Sequence, residues 1–220
     1  AVIDAAQDYF ECEIASFDDD FPLVRITRHE DATDDGPLVM LVQGLAKGEK
    51  MDSVIRHATE LGVAAFMPLT CERSIVKLDA KKTRTRLDRW CSIAKSAAMQ
   101  SGQPRIPEVL EPRSAKEAAS ELAEATAVLI CWEEAPQTAS LAHAIERGLS
   151  ECSCPRGDAR IAVVVGPEGG LTEREVGFFL DANPRASLVS LGSSILRTET
   201  AGVVAPALTL YELGKLGGTR

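Results

Sequence analysis

Apolar residues along the 220-residue chain fall into two rhythms. Up to residue 43 they come in short runs. Tyr9–Ala15 alternates apolar and polar, Leu23–Thr27 does so weakly, and Leu38–Val42 is continuously apolar. Acidic clusters at Asp18-Asp19-Asp20 and Asp34-Asp35-Gly36-Pro37 separate these runs, which predicts short strands joined by turns. Three strands are too few to close a barrel. The stretch therefore reads as the remnant of a β-domain whose opening strands are absent, with Ala1 already inside an apparent strand.

From Gly48 onward the rhythm changes to helix and strand in alternation. Met51, Val54, Ile55, Ala58 and Leu61 recur at helical spacing, and Gly62 closes that helix. Val63–Leu69 predicts a buried strand, Thr83–Met99 a long basic helix, Pro107–Leu110 a short strand and Ser114–Ala123 a capped helix. Ala127–Trp132, Ile161–Val165 and Ala186–Leu191 read as strands, followed by helices at Ser140–Gly148, Thr172–Leu180 and Thr198–Leu213. Strands separated by helices of this length predict an α/β fold with a parallel sheet covered on both faces.

Composition narrows the class. No apolar run approaches the roughly 18–20 residues of a membrane-spanning helix, and no leader with a basic start and apolar middle is visible. Six cysteines lie scattered with no C-x-x-C pair, beside only three histidines, so no metal site is expected. Sparse, unpaired cysteines suit reduced thiols in a cytoplasmic protein. The net charge of −9 argues at first against a nucleic-acid partner. Its distribution reverses the argument: residues 1–46 hold eleven acids against two bases, leaving the remainder neutral. Residues 68–113 carry ten Lys/Arg against five acids, a basic region that suits a polyanion or a solvated helix face.

Two loops carry candidate chemistry. Strand Ile161–Val165 runs into Gly166-Pro167-Glu168-Gly169-Gly170-Leu171, and Thr172 with Glu175 makes a capping box for the next helix. Glycines at a strand's C-terminal end let backbone approach a ligand where open α/β sheets bind one. The loop fits neither the dinucleotide nor the Walker pattern. The second loop is Leu191-Gly192-Ser193-Ser194-Ile195-Leu196-Arg197-Thr198-Glu199-Thr200-Ala201. Thr198 can cap the following helix and Glu199 suits its positive end. A cation such as Arg197 is disfavoured there unless an anion is near.

With these two loops, the chain resembles the bacterial 16S ribosomal RNA uracil-N3 methyltransferases of the SPOUT class. Further matches are Lys47-Gly48-Glu49-Lys50-Met51-Asp52, Glu60-Leu61-Gly62-Val63, Pro68-Leu69, Glu72-Arg73-Ser74 and Gln100-Ser101-Gly102, so the resemblance covers most of residues 38–220. It implies a trefoil-knotted α/β domain at residues 47–220, preceded by a partial PUA-like β-barrel at 1–46. It also implies a homodimer that binds S-adenosyl-L-methionine and acts on 16S ribosomal RNA or the small ribosomal subunit. The cofactor would be held by Gly166, Pro167, Glu168, Gly169, Gly170, Leu191, Gly192, Ile195, Leu196 and Thr198, with Cys131 and Glu133 nearby. Glu199 is the candidate general base, although capping with an ion pair to Arg197 accounts for it equally. Arg197 would favour the developing anion or grip a phosphate. Arg73, Arg84, Arg86 and Arg89 are the candidate RNA contacts. The chain departs from the family pattern at Gln103 and Ser194, where arginines are usual. A ribose 2′-O-methyltransferase would carry Ser-Leu-Asn where this chain has Ile195-Leu196-Arg197. The alternative reading is a non-catalytic or impaired dimeric RNA-binding protein that keeps the fold.

Overall fold

The computed structural model describes residues 2–3, 9–30, 36–76, 78–136 and 138–218. Lys77 and the Asp34-Asp35 pair, counted above for charge and turn character, lie outside the described residues.

The first sheet is small and antiparallel. Strands β1 (Val2–Ile3), β2 (Tyr9–Asp18) and β3 (Phe21–Glu30) lie in that order, and β2 and β3 form a hairpin. The turn uses Asp19 at φ 50°, a conformation Asp tolerates better than most side chains. Ile14, Phe17, Phe21, Leu23, Val24 and Ile26 are exposed on this hairpin.

The second sheet has seven strands, all parallel. In chain order its elements begin with β4 (Leu38–Gly44), α1 (Lys50–Leu61), β5 (Ala65–Thr70), α2 (Ala80–Ser101), β6 (Glu108–Val109), β7 (Arg113–Ser114) and α3 (Ala115–Glu121). They continue with β8 (Ala127–Cys131), α4 (Leu141–Glu151), a 3-10 turn (Arg156–Asp158), β9 (Arg160–Val165), α5 (Glu173–Ala182), β10 (Ala186–Val189) and α6 (Thr198–Glu212). The spatial order is β10-β8-β9-β4-β5-β6, with β7 also pairing with β5. Leu38–Val42 is thus not the last strand of the amino-terminal β-region. It sits in the middle of the parallel sheet, between β9 and β5, because an all-apolar run can be buried on both faces. The division at residue 46 therefore moves toward the amino terminus, ahead of β4.

Alternate residues of each central strand serve different cores. Val39, Leu41, Leu129, Ile161, Val163 and Val165 face α1, α2, α4 and α6, which contribute Ile55, Trp90, Ile145 and Leu210. Val42, Met67, Val128, Ile130, Ala162 and Val164 face α3 and α5, whose Ala118, Val176 and Phe179 close the other side.

Local signals act as expected at several ends. Gly62 ends α1 at φ 98°, a left-handed conformation suited to glycine. Ser114 with Glu117 and Thr172 with Glu175 form reciprocal capping boxes. Gln103 donates to the Glu60 carbonyl at 2.8 Å, tying the end of α2 to that of α1.

Candidate active site

Strands β10, β8 and β9 are adjacent, and the loops that leave their C-terminal ends converge. Between them lies a cavity of about 540 Å³. It is lined by Cys131–Glu133 after β8, Val165–Glu168 and Gly170 after β9, and Val189–Thr198 after β10, with Lys50, Ala135 and Ala201 completing the wall. Of the residues singled out for a cofactor, the structure gathers Cys131, Glu133, Gly166, Pro167, Glu168, Gly170, Leu191, Gly192, Ile195, Leu196 and Thr198 around this one space. Gly169 is not among the lining residues. A Cβ there would come within 2.9 Å of the Arg73 Cβ, so a glycine lets this loop pack against the 71–74 turn.

Backbone geometry explains the other glycines. Gly170 at φ 71° and Gly192 at φ 114° occupy the left-handed region that side chains rarely adopt. Gly44, at the end of β4, lies so close that a Cβ would sit 2.3 Å from the Pro167 nitrogen. That close approach seats the 166–170 loop on the sheet.

Thr198 is not the cap of α6. Arg197 occupies the cap position with extended φ/ψ and makes no side-chain capping bond. The buried Thr198 hydroxyl instead donates to the Gly166 carbonyl at 2.6 Å and accepts from Gln43 Nε2 at 2.9 Å. One side chain thereby joins the start of α6, the loop after β9 and the end of β4.

Charge at the rim is organised by a residue to which the sequence reading assigns no role. Lys50, the first residue of α1, places its Nζ 3.1 Å from Glu168 Oε1 and 3.1 Å from Glu199 Oε2. The Lys47 backbone N–H also donates to Glu168 Oε1 at 3.0 Å. The Glu168 contact first, then Glu199, raises the Lys50 ammonium above its ordinary value. Burial pulls the Glu168 carboxyl upward, but the Lys47 N–H, its own backbone N–H and Lys50 outweigh it and leave it lowered. The Glu199 carboxyl is lowered by its own backbone N–H first, then by Lys50 and Arg197. Lys50 is thus the closest cationic partner of Glu199. Burial alone pushes the Cys131 thiol to about 12.

The basic residues separate into two groups. Arg73 donates to the carbonyls of Gly169 at 3.3 Å and Leu171 at 3.4 Å, bracing the loop after β9. Arg89 lies 2.5 Å from Asp52, whose other oxygen accepts from Trp90 Nε1 at 3.1 Å. Asp52 is buried, so Arg89 compensates an internal charge and is not simply a surface contact. Arg84 is exposed and Arg86 half-buried on the same helix, beside exposed Lys81 and Lys82.

Three loops at the ends of adjacent parallel strands thus enclose a glycine-shaped cavity in a domain that also carries a basic helix. The pattern of the RNA methyltransferase domain family matches residues 35–210. The chain is 34% identical over 220 residues to ribosomal RNA small subunit methyltransferase E of Bacillus subtilis, covering 99% of this chain and 84% of that protein. It is 35% identical over 173 residues to the Mycobacterium bovis protein of the same name, covering 77% of this chain and 61% of that one. A crystal structure of a ribosomal RNA small subunit methyltransferase E from Neisseria gonorrhoeae bound to S-adenosyl methionine matches with a TM-score of 0.75 at 30% identity, over 95% of this chain and 81% of that chain. The chain belongs to the ribosomal RNA small subunit methyltransferase E family.

Proposed function

We propose that this chain transfers a methyl group from S-adenosyl-L-methionine to N3 of a uridine in 16S ribosomal RNA, as a cytoplasmic homodimer. The observation that carries the reading is the single cavity into which the loops after β8, β9 and β10 converge. Its volume of about 540 Å³ falls in the range of small-molecule sites. Left-handed glycines at 170 and 192 leave backbone accessible, and the buried Trp132 Nε1 on the wall has no hydrogen-bond partner among the described residues. These features fit a nucleoside read by backbone groups and a few neutral donors.

The same reading takes the carboxy-terminal segment as a trefoil knot. In that reading the bond from Thr198 to Gly166 would fasten the start of α6 against the loop after β9. The β1–β3 sheet is read as part of a PUA-like domain.

When bound, the sulfonium supplies an electrophilic methyl group. The protein's task is to align the base and accept the N3 proton. The loops after β9 and β10 orient the reactants, which lowers the barrier chiefly through proximity. The ionised Glu199 carboxylate is the acceptor for the N3 proton, and Arg197, which lines the cavity, faces the negative charge developing on the base. Arg84 and Arg86 are the outlying phosphate contacts.

The test combines calorimetry with methyl transfer to small-subunit particles and nucleoside analysis of the product. Cofactor binding with appearance of N3-methyluridine is expected. A methyl group on ribose O2′, or binding without transfer, would overturn the assignment.

A further inference from the structure

We propose that Lys50 is a positioning residue of this site: it ties the Glu199 carboxylate of α6 to the Glu168 loop after β9 and so sets the state in which Glu199 meets substrate. The inference rests on the reading of Glu199 as proton acceptor and adds to it the residue that governs that acceptor.

The placement of Lys50 is itself informative. It opens α1, where the helix dipole disfavours a cation. That unfavourable position is stabilised by two carboxylates from distant parts of the chain, each 3.1 Å from its Nζ. Lys50 and Glu168 line the cavity and Glu199 does not, so the triad reaches the site through Lys50 and Glu168, with Glu199 next to the lining residue Thr198. Because Glu168 receives a second donor from the Lys47 N–H, the segment leading into α1 and the start of that helix each tie to the loop after β9.

The charged groups around Glu199 can be enumerated by element. α1 supplies Lys50, the loop after β9 supplies Glu168, and the residue preceding α6 is Arg197. β4 contributes the neutral Gln43, and the part of β9 facing α6 is apolar. α4 places Glu146 with Arg156, but Arg156 donates to the Glu212 carbonyl at the opposite end of α6. Lys50 and Glu168 are therefore the partners whose removal is felt by Glu199. Loss of Lys50 removes a cation and leaves Glu168 an anion with no cation between it and Glu199, held only by the Lys47 N–H and its own backbone N–H. Both changes favour the protonated form of Glu199.

The experiment uses the full chain as wild type, Lys50→Met, Lys50→Gln and Lys50→Arg, with Glu199→Gln to assign the carboxyl resonance. A carbon-detected NMR titration of the glutamate carboxyls needs no activity. The Glu199 midpoint should rise in Lys50→Met and Lys50→Gln and return toward wild type in Lys50→Arg, while Glu117 on α3 stays unchanged. Methyl transfer under single turnover is then followed against pH. The acid limb should move to higher pH in Lys50→Met, making the rate loss greatest at low pH, with arginine restoring it in part. An unmoved Glu199 midpoint in either folded neutral variant would overturn the inference. A moved midpoint with an unmoved acid limb would overturn the catalytic role while leaving the ion triad intact. Failure of the wild type to methylate RNA would instead count against the proposed function, and the NMR arm would still decide whether Lys50 governs Glu199.

Discussion

At the scale of single residues, the cavity depends on a few backbone conformations. Gly192 has open space where a Cβ would go, so only its φ of 114° resists substitution. Gly192→Val should therefore reshape the loop after β10 without touching either core. A tenfold or greater loss of S-adenosylmethionine affinity by calorimetry is expected, with an unchanged far-ultraviolet dichroism spectrum. Both glycine loops were legible in the sequence, because glycines after an apolar run announce a strand-to-loop transition. Lys50 carries no such signal, and Arg73 and Arg89, read from the sequence as RNA contacts, also bond to residues brought near only by folding. The packing of Gly169 was hidden for the same reason: its neighbour is Arg73, ninety-six positions away. A second residue prediction concerns thiols. Burial holds Cys71 and Cys131 near 12, so at pH 8 the thiolate form of each is about 10,000-fold in the minority. Iodoacetamide at that pH should spare both in the folded protein and label them after denaturation, as peptide mass spectrometry would report.

At the scale of elements, helix and strand identities were legible wherever an apolar period was long or a cap was present. Thr172–Leu180 and Ser114–Ala123 carried capping boxes, and both helices lie where those signals place them. The hairpin strand predicted at Leu23–Thr27 runs longer, from Phe21 to Glu30, because cross-strand pairing extends a pattern that is weak in one strand alone. The two-residue strand β6 lies within the short strand predicted at Pro107–Leu110, whereas β7 escapes prediction because only pairing with β5 defines it. The helix α2 shows why charge alone misleads: its basic residues look equivalent in sequence but differ in what they touch. Arg89→Glu would place an acid against buried Asp52 and disturb the Trp90 bond, costing about 1–3 kcal/mol of stability as a buried polar group loses its partner. Arg84→Glu, on the exposed side, should leave thermal unfolding within experimental error. Denaturant titration of the two variants provides the check, and equal stability would mean that Arg89 is only a surface charge.

At the scale of the whole molecule, the parallel α/β class followed from the alternation of strands and helices, but the strand order did not. Periodicity places residues on faces and says nothing about which strand lies beside which. Here β4 lies between β9 and β5, an order that only long-range pairing determines. The carboxy-terminal helix poses a similar problem. Its sequence is apolar nearly all round, which requires burial on more than one side. Within the chain, Ala201, Gly202, Ala205, Pro206, Thr209 and Leu210 are buried, the helix lying on α1, β4 and β9. Gly202 allows the closest approach, since a Cβ there would meet Gln43 Oε1 at 2.3 Å. The remaining side carries Leu208 and Tyr211, each 42% exposed, beside half-buried Val203, Val204 and Ala207. A second copy related by a two-fold axis would cover this face with the same face of its partner. A stable interface needs roughly 800 Å² per partner, so neighbouring surface must join the helix. Placing two like charges at the self-contacting centre should break such an assembly with little effect on the monomer. The double variant Leu208→Glu, Tyr211→Glu is therefore expected to sediment as a monomer at micromolar concentration where the parent sediments as a dimer. A parent that is monomeric under the same conditions would show that this helix face is not a self-association surface.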